Sequence, residues 1–145
     1  MPSRPPLALR SRFSCKKMAH ILITAGPTRA YIDDVRFLTN ASSGRMAAAL
    51  ATEAIAKGNT VSIVSGPVSV QYPAEARVTS AITTGDMLKK SLTLLPRVDG
   101  VIATAAPCDF EPKQREKGKL PRQRGLVLDL KPTRDIIATL ARQAK

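Results

Sequence analysis

The sequence predicts an α/β protein in which a doubly wound, mostly parallel sheet is covered by helices on both faces, giving three layers. Strand-like apolar segments alternate with helix-like segments along most of the chain, and this alternation is typical of such folds. Residues 20–64 have the pattern of strand, helix and strand, a βαβ unit whose strands are parallel. Aromatic residues make up only 3% of the chain, so small and β-branched side chains must fill the core, as in buried parallel sheets.

The βαβ unit begins with an apolar strand at His20–Ala25, which ends before a Gly-Pro pair. Residues 27–43 show no regular period, and a long irregular segment after a first strand is more often functional than idle. Residues 44–57 carry apolar side chains at three-to-four spacing, which predicts a helix. Ser42 or Ser43 can cap the start of this helix.

The middle of the chain continues the alternation of strands and helices. Further strands are predicted, in chain order, at residues 60–64, 77–82 and 99–106. Between the last two strands, Thr83 or Thr84 is expected to cap a helix that runs to Leu95.

The C-terminal part contains a polar segment, a strand and a helix. Residues 111–125 are charged and interrupted by Pro and Gly, which predicts a flexible loop. Residues 126–130 alternate like a strand, and residues 133–145 have the pattern of a final helix. Because no strand follows this helix, we expect a Rossmann-like sheet of four or five strands that is incomplete at the C-terminus.

The net charge of +12 is concentrated in two segments. Residues 1–17 carry five cations and no acid, and residues 111–124 carry six cations and two acids, whereas residues 18–110 are close to neutral. We expect residues 1–17 to be a disordered basic tail or a misassigned start, with Met18 as the true start. Aromatic platforms and a recognition helix are missing, so a polyanionic small ligand such as a nucleotide, or simple solubility, explains the charge as well as a nucleic acid does.

Other features of the composition limit the class of protein. The two cysteines, Cys15 and Cys108, have neither metal-ligand spacing nor the pattern of a disulfide framework. The apolar runs are far shorter than the roughly 20 residues that a membrane span needs. The basic N-terminus lacks the apolar region of a signal peptide. We therefore expect a cytoplasmic protein that binds no membrane.

A ligand site is predicted outside the carboxyl ends of the parallel strands, where open α/β sheets bind their ligands. Four segments converge there, at residues 26–29, 40–44, 65–67 and 105–109. The second brings Asn40, Ser42, Ser43 and Gly44 to the start of a helix, where free N–H groups and the helix dipole favour an anion. The alternative is that both serines merely cap the helix.

Several other polar residues are candidates for chemistry. Asp33, Asp34 and Asp109 could contact a ligand or Mg²⁺, although the first two could equally form a turn. His20 is interpreted as structural, because it is a lone histidine at the start of a strand. Cys108 is also interpreted as structural, because no second histidine is available to activate its thiol. The dinucleotide fingerprint Gly-x-Gly-x-x-Gly and the P-loop are both absent. The cations of the basic loop form either a solvated surface or a flap that closes over phosphates, and they are Lys113, Lys117, Lys119, Arg122 and Arg124.

Six segments resemble the phosphopantothenoylcysteine synthetase domain, which in bacteria is commonly the second half of a bifunctional coenzyme A enzyme. The most specific of them is the stretch Val-Arg-Phe-x-x-Asn-x-Ser-Ser-Gly-Arg-Met within residues 32–51. The other matching segments are residues 21–29, 61–70 and 103–112, with weaker matches at 118–122 and 126–136. The resemblance implies that residues 18–145 form the N-terminal part of this domain, with a flexible basic flap at 111–125.

The resemblance implies a two-step ligase reaction. The carboxylate of 4′-phosphopantothenate attacks the α-phosphate of CTP, with Mg²⁺, to give an acyl cytidylate and pyrophosphate, and the amine of cysteine then displaces CMP. Related eukaryotic enzymes use ATP. The resemblance also implies a possible homodimer and a possible separate flavin-dependent decarboxylase, with no flavin in this chain.

The resemblance also assigns roles to residues. Asn40 matches the asparagine that handles the acyl cytidylate, and Lys119 matches the first flap lysine, which serves the cysteine step. Pro107 and Cys108 replace the usual Val-Ala pair, and Pro121 occupies a position where lysine is usual. The predicted nucleotide- and phosphate-binding residues are Gly26, Thr28, Arg29, Ser42, Ser43, Gly44, Arg45, Ser65, Gly66, Ala105, Asp109 and Arg122.

Three hypotheses for function follow. The first is a phosphopantothenate–cysteine ligase, and the motifs favour it. The second is an inactive remnant that keeps the fold, which is favoured because the family domain is expected to continue past Lys145. The third is a basic nucleic-acid-binding protein, which is disfavoured because the charge is confined to a tail and a loop.

Overall fold

A computed structural model describes residues 18–122 and 125–144 of the chain. In chain order the elements are β1 (His20–Ala25), β2 (Arg29–Tyr31), β3 (Phe37–Thr39), α1 (Arg45–Ala56), β4 (Thr60–Ser65), β5 (Arg77–Ser80), α2 (Thr84–Leu94), β6 (Gly100–Ala103), β7 (Phe110–Pro112), β8 (Leu130–Pro132) and α3 (Ile136–Gln143). The predicted basic tail, Cys15, Arg124 and Lys145 lie outside the described residues. Within the described ranges, every helix is too short or too polar to cross a membrane.

The central sheet has four parallel strands in the order β5-β4-β1-β6. β1 lies inside the sheet, where Ile23 is opposite Ile63 of β4 and Ile102 of β6. All four strands were predicted from apolar runs that end at turn residues. Two of them are shorter than predicted, because β5 ends at Ser80 and β6 ends at Ala103.

Helices cover both faces of this sheet, which confirms the doubly wound arrangement. Because successive side chains of a strand point to opposite faces, Ile23 packs towards α1 and Leu22 packs towards α2 and α3. The α1 side is filled by small buried side chains, including Ala47 and Ala51. On the opposite face larger side chains fill the space, with Met87 fully buried in the same cluster as Leu22.

The segment that follows β1 contains an antiparallel hairpin, β2–β3, which the sequence did not predict. Each strand has only three residues, too few for a period of two to be recognisable. Aromatic contacts hold the hairpin together, with the rings of Tyr31 and Phe37 meeting edge to face at 5.6 Å between centroids. The guanidinium of Arg29 lies 4.3 Å from the Phe37 ring centroid, a cation–π contact.

The strand predicted at residues 126–130 is wrong in position. The observed strand β8 occupies Leu130–Pro132 and pairs antiparallel with β7, so that Phe110 lies opposite Pro132. Alternation at residues 126–130 suggested burial of the face that carries the leucines, but Leu126 is 55% exposed and Leu130 is 37% exposed. The position of β8 is determined by its pairing with β7. Because β7 has only three residues, it carried no periodic signal that could have predicted this pairing.

The basic loop between β7 and β8 is docked against the β2–β3 turn. Asp33 is fully buried, and its carboxylate accepts N–H groups from Val35 at 2.8 Å, Arg36 at 2.6 Å and Leu120 at 3.1 Å. Burial opposes ionisation of Asp33, but these bonds and the Arg36 charge hold its pKa below the usual value. The flexibility predicted for residues 111–125 stays a prediction.

A close backbone crossing occurs where β1 and β4 leave the sheet. The N–H of Gly66 donates to the carbonyl of Ala25 at 2.8 Å, just before the chain turns at Gly26 and Pro27. A Cβ atom on Gly66 would overlap the carbonyl oxygen of Pro27, so only glycine fits here. A Cβ on Gly26 would lie 2.7 Å from the Val68 side chain, and its φ of 69° also favours glycine.

We predict that Gly66→Ala destabilises the fold strongly, because the new methyl group must displace the Pro27 carbonyl. The expected loss is about 3 kcal/mol or more in the free energy of unfolding, at the upper end of overpacking effects. Urea unfolding followed by circular dichroism measures it. Gly100→Ala is the matched control, since a Cβ there meets nothing within 4 Å. Equal stability of the two variants would contradict the close contact between Gly66 and the Pro27 carbonyl.

We predict that Asp33 stabilises the fold at neutral pH and loses this effect in acid. Since its pKa is lowered on folding, its contribution is fully present above the unfolded value of about 3.9 and disappears as the pH falls through the folded value. The difference in unfolding free energy between wild type and Asp33→Asn should therefore shrink below about pH 4. Asp129→Asn, at an exposed ion pair with Lys113, is the control. A difference independent of pH would disprove this.

Candidate functional site

The carboxyl ends of β1, β4 and β6 meet at one edge of the sheet, as predicted. Pro27, after β1, forms a parallel bridge with Ala106, after β6, and Ala106 donates its N–H to the carbonyl of Gly26 at 2.9 Å. Gly66 joins them through its bond to Ala25. Three of the four predicted segments therefore converge through backbone contacts, and the fourth joins them through Asn40.

Asn40 connects the irregular segment to the end of β6. Its Nδ2 donates to the carbonyl of Pro107 at 2.8 Å and to that of Ala106 at 3.3 Å. With both donors used, the amide oxygen remains as an acceptor at an exposed position. The side chain is therefore held at the strand end with its oxygen available to a ligand.

The start of α1 is not capped by a serine, so that prediction is wrong. Gly44 is the N-cap residue, with φ of 75°, and α1 has no side-chain capping hydrogen bond. The left-handed backbone of Gly44 directs the chain into the helix without bringing either serine hydroxyl to the first turn. The first helical bond runs from the N–H of Ala48 to the carbonyl of Gly44, so the three N–H groups before it keep their capacity to bind an anion.

The serines and the cation beside this helix start differ in accessibility. Ser42 is half-buried, whereas Ser43 and Arg45 are exposed. Arg45 is the first residue of α1, so it belongs to the turn that carries the free N–H groups. This neighbourhood of backbone donors, hydroxyls and one guanidinium is suited to phosphate oxygens.

Tyr72, which sequence reasoning missed, forms a wall of the site. A Cβ atom on Gly44 would lie 2.9 Å from the Tyr72 hydroxyl, so this hydroxyl lies directly against the helix start. The same hydroxyl lies 2.8 Å from Oγ of Ser65. Ser65 is buried and also donates to the carbonyl of Gly66 at 2.8 Å, so its hydroxyl links the wall to the strand end. No sequence signal marked Tyr72, which lies in an irregular segment.

Thr28 is a buried junction beneath the site. Its Oγ1 accepts the N–H of Cys108 at 2.8 Å and lies 2.8 Å from Oγ1 of Thr84. Its carbonyl accepts the Thr39 hydroxyl at 2.8 Å and the Cys108 thiol at 3.3 Å. Thr28 therefore joins β1, β3, α2 and the segment after β6, and Cys108 is a buried free thiol with a structural role.

The remaining predicted residues lie around this centre at different depths. Ala105 is partly buried against the core on the α2 face, whereas Asp109 is exposed and its carbonyl accepts the N–H of Thr133 at 2.8 Å. Arg29 contacts the Phe37 ring on the hairpin. Asp109 therefore keeps its carboxylate available to a ligand.

The basic loop forms a separate concavity. Lys119, Arg122 and Arg36 line a depression of about 630 Å³ together with apolar loop residues. Within residues 18–122 and 125–144, no hydrogen bond or ion pair connects Lys119 or Arg122 to Asn40. The structure thus brings the strand-end residues together, and the two loop cations share a depression with Arg36.

The described residues offer no ready-made metal centre. Among them, no three His, Cys, Asp or Glu side chains are close enough to hold a metal ion. The Asp33 carboxylate is used by backbone N–H groups, so the turn-forming interpretation holds for it. His20 is also engaged, with Nδ1 at 2.8 Å from the carbonyl of Arg97 and Nε2 at 2.8 Å from Oγ of Ser62.

Relatives of the chain share this fold and these segments. The chain is 43% identical over 128 residues to the coenzyme A biosynthesis bifunctional protein CoaBC of Bacillus subtilis, covering 87% of this chain and 32% of the relative. It is 39% identical over 119 residues to CoaBC of Thermococcus kodakarensis, covering 81% of this chain and 29% of the relative. The chain thus spans about a third of the length of these curated relatives.

Solved structures agree with the sequence comparison. The crystal structure of the C-terminal domain of CoaBC superposes with a TM-score of 0.77 at 39% identity, covering 88% of this chain and 60% of that one. A Cab2 variant in complex with phosphopantothenate-cysteine has the same fold, with a TM-score of 0.74 at 16% identity, and covers 85% of this chain and 59% of that one.

The family model for the DNA/pantothenate metabolism flavoprotein C-terminal domain matches residues 16–145, almost the whole chain. Together with the shared four-stranded parallel sheet, this match shows that the chain belongs to that family.

Proposed function

We propose that this chain is the nucleotide-binding part of a phosphopantothenate–cysteine ligase of coenzyme A biosynthesis. In the proposed reaction, CTP activates the carboxylate of 4′-phosphopantothenate as an acyl cytidylate, and cysteine then displaces CMP to form the amide. The observation that carries the proposal is the position of Asn40, which is held at the end of β6 beside the uncapped start of α1.

The strand-end edge suits a ligand rich in phosphate. Free N–H groups at the start of α1 supply donors without a serine competing for them. The glycines at positions 26, 44 and 66 let the Val68 side chain, the Tyr72 hydroxyl and the Pro27 carbonyl pack directly against the backbone, which fixes the shape of this edge. The Asn40 amide oxygen and the exposed Asp109 carboxylate can accept hydrogen bonds from hydroxyl or amino groups of a nucleoside.

Mg²⁺ fits this site as a partner of the nucleotide. Mg²⁺ in nucleotide sites is usually bound by substrate phosphates, several waters and one or two carboxylates. Asp109 is the exposed carboxylate at the strand ends, and Asp33 is fully engaged elsewhere. When bound, the ion neutralises phosphate charge and makes pyrophosphate a better leaving group.

The proposed second step uses a cation of the basic loop. Lys119 is exposed in the depression that it shares with Arg122, where an ammonium group can stabilise charge that develops as cysteine attacks. A homodimer, and a separate chain that decarboxylates the product, belong to the same proposal. The bifunctional name of the CoaBC relatives supports the association with a second activity.

The proposal is tested by calorimetric titration of the purified chain with CTP and Mg²⁺, with ATP as the competing nucleotide. We expect saturable binding with CTP preferred, and pyrophosphate release once 4′-phosphopantothenate is added. A folded chain that binds neither nucleotide would favour an inactive remnant instead. Binding of DNA with a steep salt dependence would favour the nucleic-acid hypothesis.

We predict that Asn40→Asp impairs the handling of the acyl cytidylate and leaves the fold intact. A carboxylate cannot donate to the Ala106 and Pro107 carbonyls, and its charge repels phosphate. Loss of this positioning of the side chain costs roughly 100-fold in rate. Amide formation measured by product analysis, beside thermal unfolding, tests this. Thr52→Ala on the outer side of α1 is the control, because its hydroxyl only bonds the Ala48 carbonyl. Unchanged turnover of Asn40→Asp would place the site elsewhere.

A further inference from the structure

Lys119 lies between two residues whose backbone groups are both held in place. The N–H of Gly118 donates to Oδ2 of Asp34 at 2.7 Å, and its carbonyl accepts the N–H of Asp34 at 3.1 Å. The N–H of Leu120 donates to Oδ2 of Asp33 at 3.1 Å, and its carbonyl accepts Nη2 of Arg36 at 3.0 Å. Four hydrogen bonds therefore fix the peptide groups on either side of Lys119.

The loop is anchored further before this point. The guanidinium of Arg115 donates to Oδ1 of Asp34 at 2.9 Å and lies 4.7 Å from the ring centroid of Tyr31. The N–H of Glu116 donates to the carbonyl of Ile32 at 2.9 Å. A continuous row of contacts thus joins residues 115–120 to residues 31–36, although the loop is polar and mostly exposed.

Such anchoring opposes the conformational entropy of a polar, exposed loop. Fixing the backbone of one residue costs about 1–2 kcal/mol of conformational entropy, so an ordered polar loop needs compensating bonds. Here the compensating groups are two adjacent carboxylates, each of which accepts a backbone N–H of the loop. The hydrogen bonds of these carboxylates reach Gly118 and Leu120, the two neighbours of Lys119. Among the described residues, the ammonium group of Lys119 forms no ion pair.

We propose that Asp33 and Asp34 are positioning residues that hold the Lys119 backbone at a fixed place on the β2–β3 turn, so that its ammonium group serves the amide-forming step. This inference rests on the proposed function for the role of Lys119. A lysine side chain is long and flexible, so the position of its Cα limits where its charge can act. Small displacements of a positioned group cost a large fraction of a rate, because orientation accounts for much of the catalysis.

Asp34 tests this proposal better than Asp33 does. The Asp34 side chain is 50% exposed, and its described partners all lie in the loop, so its removal leaves the core untouched. Asp33 is buried and also forms the turn itself. Asp34→Ala is therefore the main variant, and Asp34→Asn, which keeps one acceptor oxygen, is the conservative variant. Asp129→Ala is the matched control, since it removes an ion pair to Lys113 in the same loop without freeing residues 118–120.

The first measurement is amide hydrogen exchange by NMR on the full chain. We expect the Gly118 amide to exchange about tenfold faster in Asp34→Ala, with partial protection in Asp34→Asn and wild-type protection in Asp129→Ala. If exchange at Gly118 is unchanged in Asp34→Ala, Asp34 does not hold the Lys119 backbone and the proposal is overturned. This measurement needs no catalytic activity. It therefore tests whether Asp34 holds the Lys119 backbone even when the chain releases no pyrophosphate and the proposed function fails.

The second measurement separates the two chemical steps by rapid quench. In Asp34→Ala we expect amide formation to fall about tenfold while pyrophosphate release stays within about twofold of wild type. Lys119→Gln should show the same division, and adding it to Asp34→Ala should cause no further loss beyond that of Lys119→Gln alone. Equal loss of both steps, or fully additive losses, would show that Asp34 does not act through Lys119.

Discussion

The carbonyl oxygen of Pro27 occupies the space where a side chain on Gly66 would lie, and the edge of the sheet that holds the candidate site depends on this backbone contact. Parallel pairing brings the carboxyl ends of the strands to one edge of the sheet. It does not determine how closely the segments that follow these strands approach one another. Here the segment after β1 lies against Gly66, which follows β4, and Pro27 forms a bridge with Ala106, which follows β6. Any larger residue at position 66 would push these chains apart and move Asn40, whose donors are bonded to Ala106 and Pro107.

The parallel core was predictable because long-range order there follows from local pattern. β1, β4 and α1 occupy nearly the predicted residues, and Thr83 caps α2 by accepting the N–H of Asp86. The short antiparallel pairs were not predictable, since β2, β3, β7 and β8 each have three residues and owe their conformation to a partner strand. The shift of β8 to Leu130–Pro132 illustrates this: pairing with Phe110–Pro112 outweighed the alternation of the residues before it.

Much of the candidate site was also predictable, but the division of labour within it was not. Topology alone brings the strand ends together, so the segments around Gly26, Gly66 and Asp109 could be named from the sequence. Whether a polar side chain faces a ligand or supports the backbone depends on contacts far apart in the chain. Thr28 proved to be a buried junction bonded to residues 56 and 80 positions away, and Tyr72 lines the site from an irregular segment.

The distribution of charge in the basic loop favours a small phosphate-bearing ligand over a long polyanion. Lys113 and Arg115 pair with Asp129 and Asp34, so these cations are partly neutralised by the fold itself. In the part of the chain that the structure describes, Lys117, Lys119 and Arg122 have no ion-pair partner, and the last two share one depression. Nucleic-acid binding needs cations spread along a face to follow successive phosphates. A loop that pairs Lys113 and Arg115 with carboxylates and gathers Lys119 and Arg122 in one depression is suited to a single multiply charged ligand.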